Sequence, residues 1–435
     1  MPKLTRKIII NKVVDSIFYL ILFLLSLGQI ARFSFGEYPI YMYLYELFLV
    51  VFIILLSFKI ELKKILSGNT SIIIFLSWIL FGLLISSFSY KILDNIVALL
   101  YTLRLSAYFI YLIIIKNYFK KNKDAKHAWN VGIVFFLAIT IVFSFVQYFL
   151  YPNIGNLAYL GWDPHLYRMV GSFFEPQLAV AIYGLLFLYI FFSTRFLVPD
   201  SVARQPQKMS KFPHLFGSPR LATPVPRLKN VAKILVTSLK LIPIVLMLMI
   251  FLTVSRGGIT AFVITLLFIF REKLKLIILS LLIVTVIFIV IPKPQSEGLN
   301  ILRTSSIQTR LIDYQKAFKI WKKSPILGIG YNHIRFEKDK LEEKPLTEKY
   351  NPSHASSSFH SSFLIILATT GVIGLAIYLW VLWSLAKMSD FSSYATVFLS
   401  LASIFDNVLL HPFILFLYFT MIVLSQVIHP SHESR

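Results

Sequence analysis

Three short stretches of this 435-residue chain gather side chains suited to holding an anion and moving a proton. They are Arg168-Met169-Val170-Gly171-Ser172-Phe173-Phe174-Glu175-Pro176, Ser255-Arg256-Gly257-Gly258 and Ser356-Ser357-Ser358-Phe359-His360-Ser361. A guanidinium is a permanent, planar, two-pronged donor that fits phosphate oxygens. An imidazole titrates near neutrality and can take a proton from a hydroxyl. Arg256, Arg310 and His360 are therefore the candidate catalytic groups, with Arg168, Glu175, Arg303 and His354 as candidate substrate contacts. The chain has no cysteine, which excludes thiolate metal sites and a thiol nucleophile. The acids Glu37, Asp163, Glu175, Asp313 and the Glu342-Glu343 pair show no ligand spacing, so no metal site is expected. Neither a P-loop nor GxGxxG occurs, and no cofactor is expected. Charge developing on a leaving group would then have to be met by fixed cations.

The elements that must position these groups lie in a membrane. Hydrophobic residues make up 57% of the chain and charged residues 14%, and the mean hydropathy is +0.75. Soluble domains average about 45–50% apolar and about 25% charged, so a soluble enzyme, a disordered chain and a fibrous repeat are excluded. The net charge of +23 does not imply nucleic acid, because the basic residues sit mostly in short loops between apolar segments. The expected fold is all-α, a polytopic bundle of about twelve spans: 13–33, 40–58, 71–88, 94–115, 129–150, 175–194, 232–252, 258–270, 274–292, 360–384, 391–409 and 412–429. The basic N-terminus runs into the first span without a small-residue cleavage site, and we read it as uncleaved.

Lys and Arg crowd alternate short loops, which puts both termini in the cytoplasm. The organisation expected is spans 1–6 over 1–194, a flexible cytoplasmic linker over 195–231, spans 7–9 over 232–292, an extracytoplasmic loop over 293–356 and spans 10–12 over 357–435. The linker holds six of the 19 prolines between Pro199 and Pro226. In the outer loop, Ile307, Leu311, Tyr314, Phe318 and Trp321 recur at helical intervals, an apolar stripe that would rest on the bundle mouth or the headgroup layer. Ser324-Pro325 ends that helix, and Gly328 and Gly330 follow as turn residues. In this topology spans 6, 8 and 10 all begin outside, each at one of the three polar stretches. A helix N-terminus adds free N–H groups and partial positive charge. Ala368, Gly371 and Gly374, spaced three apart, mark a small-residue face for close helix packing. Arg104 and Lys240 lie in mid-span, with Glu46 and Asp406 as partners either for static ion pairs or for a transport relay.

The motifs resemble a known family. His360-Ser361, nine residues, then Gly371-Val372-Ile373-Gly374 fits H-[N/S/Q]-x9-G-x-x-G, the pattern of the O-antigen ligase and O-antigen polymerase superfamily. Ser255-Arg256-Gly257 is similar to its Ser-Arg-Gly segment. Arg310, Trp321 and Ser324-Pro325-Ile326-Leu327-Gly328-Ile329-Gly330 are similar to its R…W…P-x-x-G-x-G loop. Ser361 stands where the family often has Asn. The resemblance implies a metal-independent, inverting glycosyltransferase of surface polysaccharide biosynthesis, in the cytoplasmic membrane with its active site outside. A glycan would pass from a polyprenyl diphosphate carrier (undecaprenyl diphosphate) to a hydroxyl on a lipid, glycan or protein acceptor. Arg256 and Arg310 would stabilise the departing diphosphate and His360 would act on the acceptor. The partners implied are that donor, that acceptor and membrane lipids, with no nucleic acid. A transporter or flippase of a lipid-linked sugar is the alternative from another class, and a peptidoglycan-type glycan polymerase a nearer one. Polar groups gathered at the outer rim and not at mid-membrane favour the transferase.

The charge bias makes a direct prediction. Single cysteines at Glu297 and Asn351 should react with an impermeant maleimide on intact cells, and one at Gln207 should not. Outside labelling at 207 would overturn the topology.

Overall fold

The structure, a computed structural model, describes residues 3–34, 40–58, 68–122, 125–160, 165–197, 241–273, 305–341 and 358–426, with single positions between 275 and 286. Arg303, His354, Lys240, most of the expected span 274–292 and the linker from 198 onward lie outside the described residues. Helices dominate, and the chain is a multi-pass helical membrane protein. In order they are α1 (Lys3–Ser26), α2 (Leu44–Ser57), α3 (Thr70–Ser86), α4 (Ile92–Lys121), α5 (Ala125–Leu150), α6 (Pro176–Leu197), α7 (Leu241–Leu252), α8 (Arg256–Ile269), α9 (Ser305–Trp321), α10 (Ile334–Leu341), α11 (Ser362–Ala386), α12 (Asp390–Phe405) and α13 (Pro412–Gln426). Among the described residues five helices are long and apolar enough to cross a membrane, and five shorter ones are apolar. The all-α expectation needs one addition: Arg32–Ser34 (β1) pairs antiparallel with Tyr41–Tyr43 (β2) at the end of α1.

Helices α6 and α13 are apolar all round and buried along most of their length, as central helices must be. Outer helices turn Leu84, Phe135 and Val142 outward, a surface that lipid can cover. Gly184 lets the Phe398 ring of α12 meet the α6 backbone; a Cβ there would stand 2.3 Å from it. The mid-span Arg104 is paired, as the ion-pair expectation had it. Its Nε and Nη2 donate to the two oxygens of Glu46 at 2.6 and 2.8 Å, and Tyr108 donates to the same carboxylate at 2.6 Å. Glu46 also accepts the Tyr43 N–H at 2.9 Å and so caps α2. Asp406 lies elsewhere, at the end of α12.

The stretch around Gly371 differs from the expected face of small residues. At Gly371 α11 leaves helical geometry (φ 68°, ψ −175°), so the carbonyls before it lose their helical donors. The turn after α9 supplies replacements. Ile329 N–H donates to Ala368 O at 3.1 Å and Gly330 N–H to Thr369 O at 2.9 Å. Trp78 Nε1 donates to Thr370 O at 2.9 Å, and Val372 N–H returns to Pro325 O at 2.9 Å. The two glycine motifs are therefore two halves of one backbone clamp. At Gly371 itself the close approach is by the loop after α9, whose backbone N–H groups serve two of the freed carbonyls, while Trp78 of α3 serves the third.

Of the two seats expected for the apolar stripe of α9, the bundle mouth takes only part of it. Asp313, Ala317 and Ile320 face the bundle and are buried, while Ile307, Leu311 and Phe318 point outward. Of the stripe read from spacing, Ile307, Leu311 and Phe318 are thus exposed, while Tyr314 is half-buried and donates to Ile404 O of α12. The inner face was hidden because its contact residues include a charge and an alanine.

The clamp predicts that Gly371→Ala is severe. Its φ/ψ is open almost only to glycine, and a Cβ would lie 2.0 Å from Ile326 O. Stability should fall by about 3 kcal/mol or more, read as a lower melting temperature in detergent. Gly82→Ala, whose Cβ would meet only Leu327 O at 3.7 Å, should be tolerated. Equal melting of the two variants would discard the clamp.

Candidate active site

The polar stretches converge on the C-terminal end of α12. Carbonyls in a last helical turn have no helical donor and must find others. Gln177, at the start of α6, donates through Nε2 to Ala402 O at 3.3 Å. Ser361 Oγ donates to Ser403 O at 3.0 Å, and Tyr314 OH of α9 donates to Ile404 O. Gly257 of α8 packs on the next residue, where a Cβ would stand 2.6 Å from Phe405 Cβ. Beyond it, Asn407 Oδ1 accepts from Ser362 Oγ at 3.1 Å, and Ser362 Oγ accepts the Leu409 N–H at 3.1 Å. The beginnings of α6, α8 and α11 thus meet on one helix end, and α9 lies against them.

Each arm has its local cause. Ser255 is the residue before α8 and donates to Gln177 Oε1, which joins the beginnings of α8 and α6. Arg256 is the first residue of α8 and is partly exposed. Gly258 admits Val180 of α6, 2.6 Å from where a Cβ would be. Arg168 is buried and donates through Nη2 to Val254 O at 3.0 Å, in a turn where Val254 has φ 54°. Met169 N–H donates to Leu252 O at 3.0 Å beside it. Glu175 is half-buried just ahead of α6, and its carbonyl accepts the Ala179 N–H.

His360 is two residues ahead of α11, in the loop and not in the helix, and its side chain is 30% exposed. Asp313 holds it twice. One carboxylate oxygen, Oδ2, accepts the His360 backbone N–H at 2.8 Å and faces Nδ1 at 2.9 Å. The other, Oδ1, accepts from Lys338 Nζ at 2.7 Å. Lys338 is buried, also donates to Ser358 O, and lies 4.5 Å from the Phe359 ring centre. Helix α10, which carries Lys338, is itself held. Glu337 accepts from Tyr90 OH at 3.1 Å, Lys323 at 2.5 Å and Lys340 at 2.7 Å, and His333 stacks on Tyr90 at 4.0 Å.

An ionised carboxylate only accepts, so Nδ1 carries the proton and Nε2 is the basic nitrogen. The Asp313 hydrogen bond raises the His360 pKa above its ordinary value; burial opposes this, Asp406 adds to it, and Arg310 works against it. Burial pushes Asp313 up, but the His360 hydrogen bond and the Lys338 charge outweigh it and hold the carboxylate below its usual range. Arg310 sits one helical turn before Asp313 and acts electrostatically on both Tyr314 and His360.

The arrangement therefore brings Arg310, Asp313, His360 and Asp406 together, with Arg256 beside the same helix end. Sequence reading passed over Asp313, Lys338 and Asp406 as site residues. Asp313 had one usable signal: three residues from Arg310, it must share a helix face with it. The groups set aside for a transport relay are separated, since Glu46 holds Arg104 and Asp406 acts on His360.

The fold and this site define a polytopic membrane protein whose polar chemistry is collected at helix ends. Residues 241–379, from α7 into α11, match the family model described as O-antigen ligase. Members of that family are glycosyltransferase-like ligases and polymerases. No curated protein matches the chain.

The raised His360 pKa has a sign. The neutral base is present only above that pKa, so the acid limb of kcat/KM should lie above about pH 6.5. Asp313→Asn should move the limb to lower pH and reduce turnover. Stability gained from the raised pKa is complete below about pH 6.5 and fades as pH rises through the folded value. Asp313→Asn should accordingly lower the melting temperature more at pH 5.5 than at pH 8.5. An unmoved acid limb would remove Asp313 from control of His360.

Proposed function

We propose that this protein moves a glycan from a polyprenyl diphosphate carrier to an acceptor hydroxyl on the extracytoplasmic face of the cytoplasmic membrane. The observation that carries this reading is a histidine base held by Asp313 where the beginnings of α8 and α11 meet, with Arg310 at its side. The acceptor hydroxyl attacks the anomeric carbon from the face opposite the diphosphate. A new C–O bond forms as the bond to the bridging phosphate oxygen breaks, and the configuration inverts. The hydroxyl proton passes to His360 Nε2, and the lipid diphosphate leaves with the electron pair. Arg256 and Arg310 meet the charge growing on the leaving oxygen, and the first turn of α8 adds its N–H groups. Fixed cations fill the place that a divalent ion takes in other phosphate chemistry. Arg168 acts one step back, by holding the Val254 turn from which Arg256 follows.

His360→Ala should abolish transfer by purified protein while the fold survives, because the imidazole stands at a rim. Arg256→Lys keeps the charge but loses the two-pronged contact. It should cost about 3–4 kcal/mol in the transition state, or roughly 100- to 1000-fold in rate. Transfer should persist in EDTA. Near-normal turnover in both variants, with Arg104→Gln inactive though folded, would hand the reading to a transporter.

A further inference from the structure

Lys338 closes a ring of hydrogen bonds around the His360 loop. Its ammonium donates to Asp313 Oδ1 at 2.7 Å and to Ser358 O. Asp313 Oδ2 accepts the His360 backbone N–H at 2.8 Å. The ring therefore runs from the ammonium through the carboxylate to His360, back along the chain through Phe359 to Ser358, and so to the ammonium again. Nζ sits 4.5 Å from the centre of the Phe359 ring, and the lysine side chain is 3% exposed. The loop cannot shift without breaking one of these charge-assisted bonds, so the ring fixes where the imidazole starts.

The carboxylate and its cation reach His360 by separate routes. Asp313 comes on α9, and Lys338 comes on α10, which is rooted in the clamp turn. His333 N–H donates to Gly330 O at 3.3 Å, and Glu337 N–H donates to His333 O at 3.2 Å. The consequence is electrostatic as well as steric. Asp313 favours the imidazolium through Nδ1, and an ammonium on its other oxygen opposes that. At the imidazole Asp406, at the end of α12, and Arg310 of α9 act in opposite senses, and Arg256 begins α8 beside the same helix end. On α10 itself the neighbours of Lys338 are Glu337, held by Lys323 and Lys340, and Asp339. A general base must release between turnovers the proton it takes, so too strong a hold on the imidazolium is as harmful as too weak a one.

We propose that Lys338 is a positioning residue for the transfer base: it occupies one oxygen of Asp313, reserves the other for His360, and keeps the imidazole able to release each proton it accepts. The proposal rests on the transferase reading and adds to it a residue that touches no substrate. Without the ammonium, both oxygens of Asp313 could turn toward the imidazole and its backbone N–H and hold the histidine charged. With it, Oδ1 is engaged and the histidine is held through Oδ2. Lysine suits the position where arginine does not. A compact ammonium reaches Oδ1 and Ser358 O inside a nearly closed space, and a planar fork needs a broader one.

The test reads the titration of His360 without turnover. Diethyl pyrocarbonate modifies neutral imidazole, and the His360 side chain is 30% exposed to it. The rate of modification of the His360 peptide, followed by mass spectrometry across pH in purified full-length protein, gives the midpoint. In Lys338→Met that midpoint should rise by about half a pH unit or more, opposite in sign to Asp313→Asn. The acid limb of kcat/KM should rise with it, leaving transfer at about pH 6 roughly three-fold or more slower. Asp313→Asn combined with Lys338→Met should titrate as Asp313→Asn does, because the lysine acts through the carboxylate. Lys338→Gln loses the charge but keeps a donor for Ser358 O, and it should shift the midpoint the same way if Lys338→Met does not fold. An unmoved or lowered midpoint in a folded neutral variant, whatever its melting temperature, overturns the proposal. So does a double variant that titrates differently from Asp313→Asn. Full transfer activity in His360→Ala would remove the transferase reading alone, because the titration is measured without turnover.

Discussion

The interaction on which the rest depends is the backbone exchange across Gly371. Breaking α11 frees the carbonyls of Ala368, Thr369 and Thr370, and buried carbonyls must be satisfied. The donors come from Ile329, Gly330 and Trp78, so the break becomes a socket. What enters the socket is the turn directly after α9. Fixing that turn fixes the roll of α9 and brings Asp313, Ala317 and Ile320 inward. Asp313 then meets His360, eleven residues ahead of the break at Gly371. A main-chain arrangement deep in the helix thus sets the side-chain geometry at its tip.

The second constraint is the end of α12. A helix terminus is usually finished by water or by a cap, and this one is finished by other parts of the site. Ala402, Ser403 and Ile404 accept from the neighbourhoods of α6, α11 and α9 in turn. Glycine at 257 adds α8 by close approach to Phe405. Elements far apart in sequence therefore share one reference point. Their side chains keep registry with one another because each is measured from the same few carbonyls.

Much of the fold was legible because lipid imposes a simple rule on composition and length. Eleven of the twelve expected segments contain a helix, and of the twelfth, 274–292, only single positions are described. The polar clusters at helix beginnings were legible for the same reason, since they interrupt an otherwise apolar text. Three things were not. The break at Gly371 looked like a packing face, because Gly-x-x-Gly spacing is the same whether a helix or a loop comes close. The inner face of α9 was hidden, because apolar spacing does not say which apolar surface a stripe meets when lipid is also available. Asp313 looked idle, because its partners are 25 and 47 residues away, and only the clamp brings them within reach. The short pairing of β1 with β2 also escaped, three residues a side being too brief to show a period.

The sharing of one carboxylate between His360 and Lys338 has a consequence for how the protein can be inactive. Undocking α9 would withdraw Asp313 from both at once. Lys338, with its side chain 3% exposed, would lose its ion pair with Asp313, and breaking a buried pair by withdrawing one partner costs about 3–5 kcal/mol. Basicity at His360 and closure of the outer loop are consequently a single equilibrium with two readouts. A chain whose loop has lifted also carries a weaker base, and water that enters the opened site meets a histidine less able to take its proton.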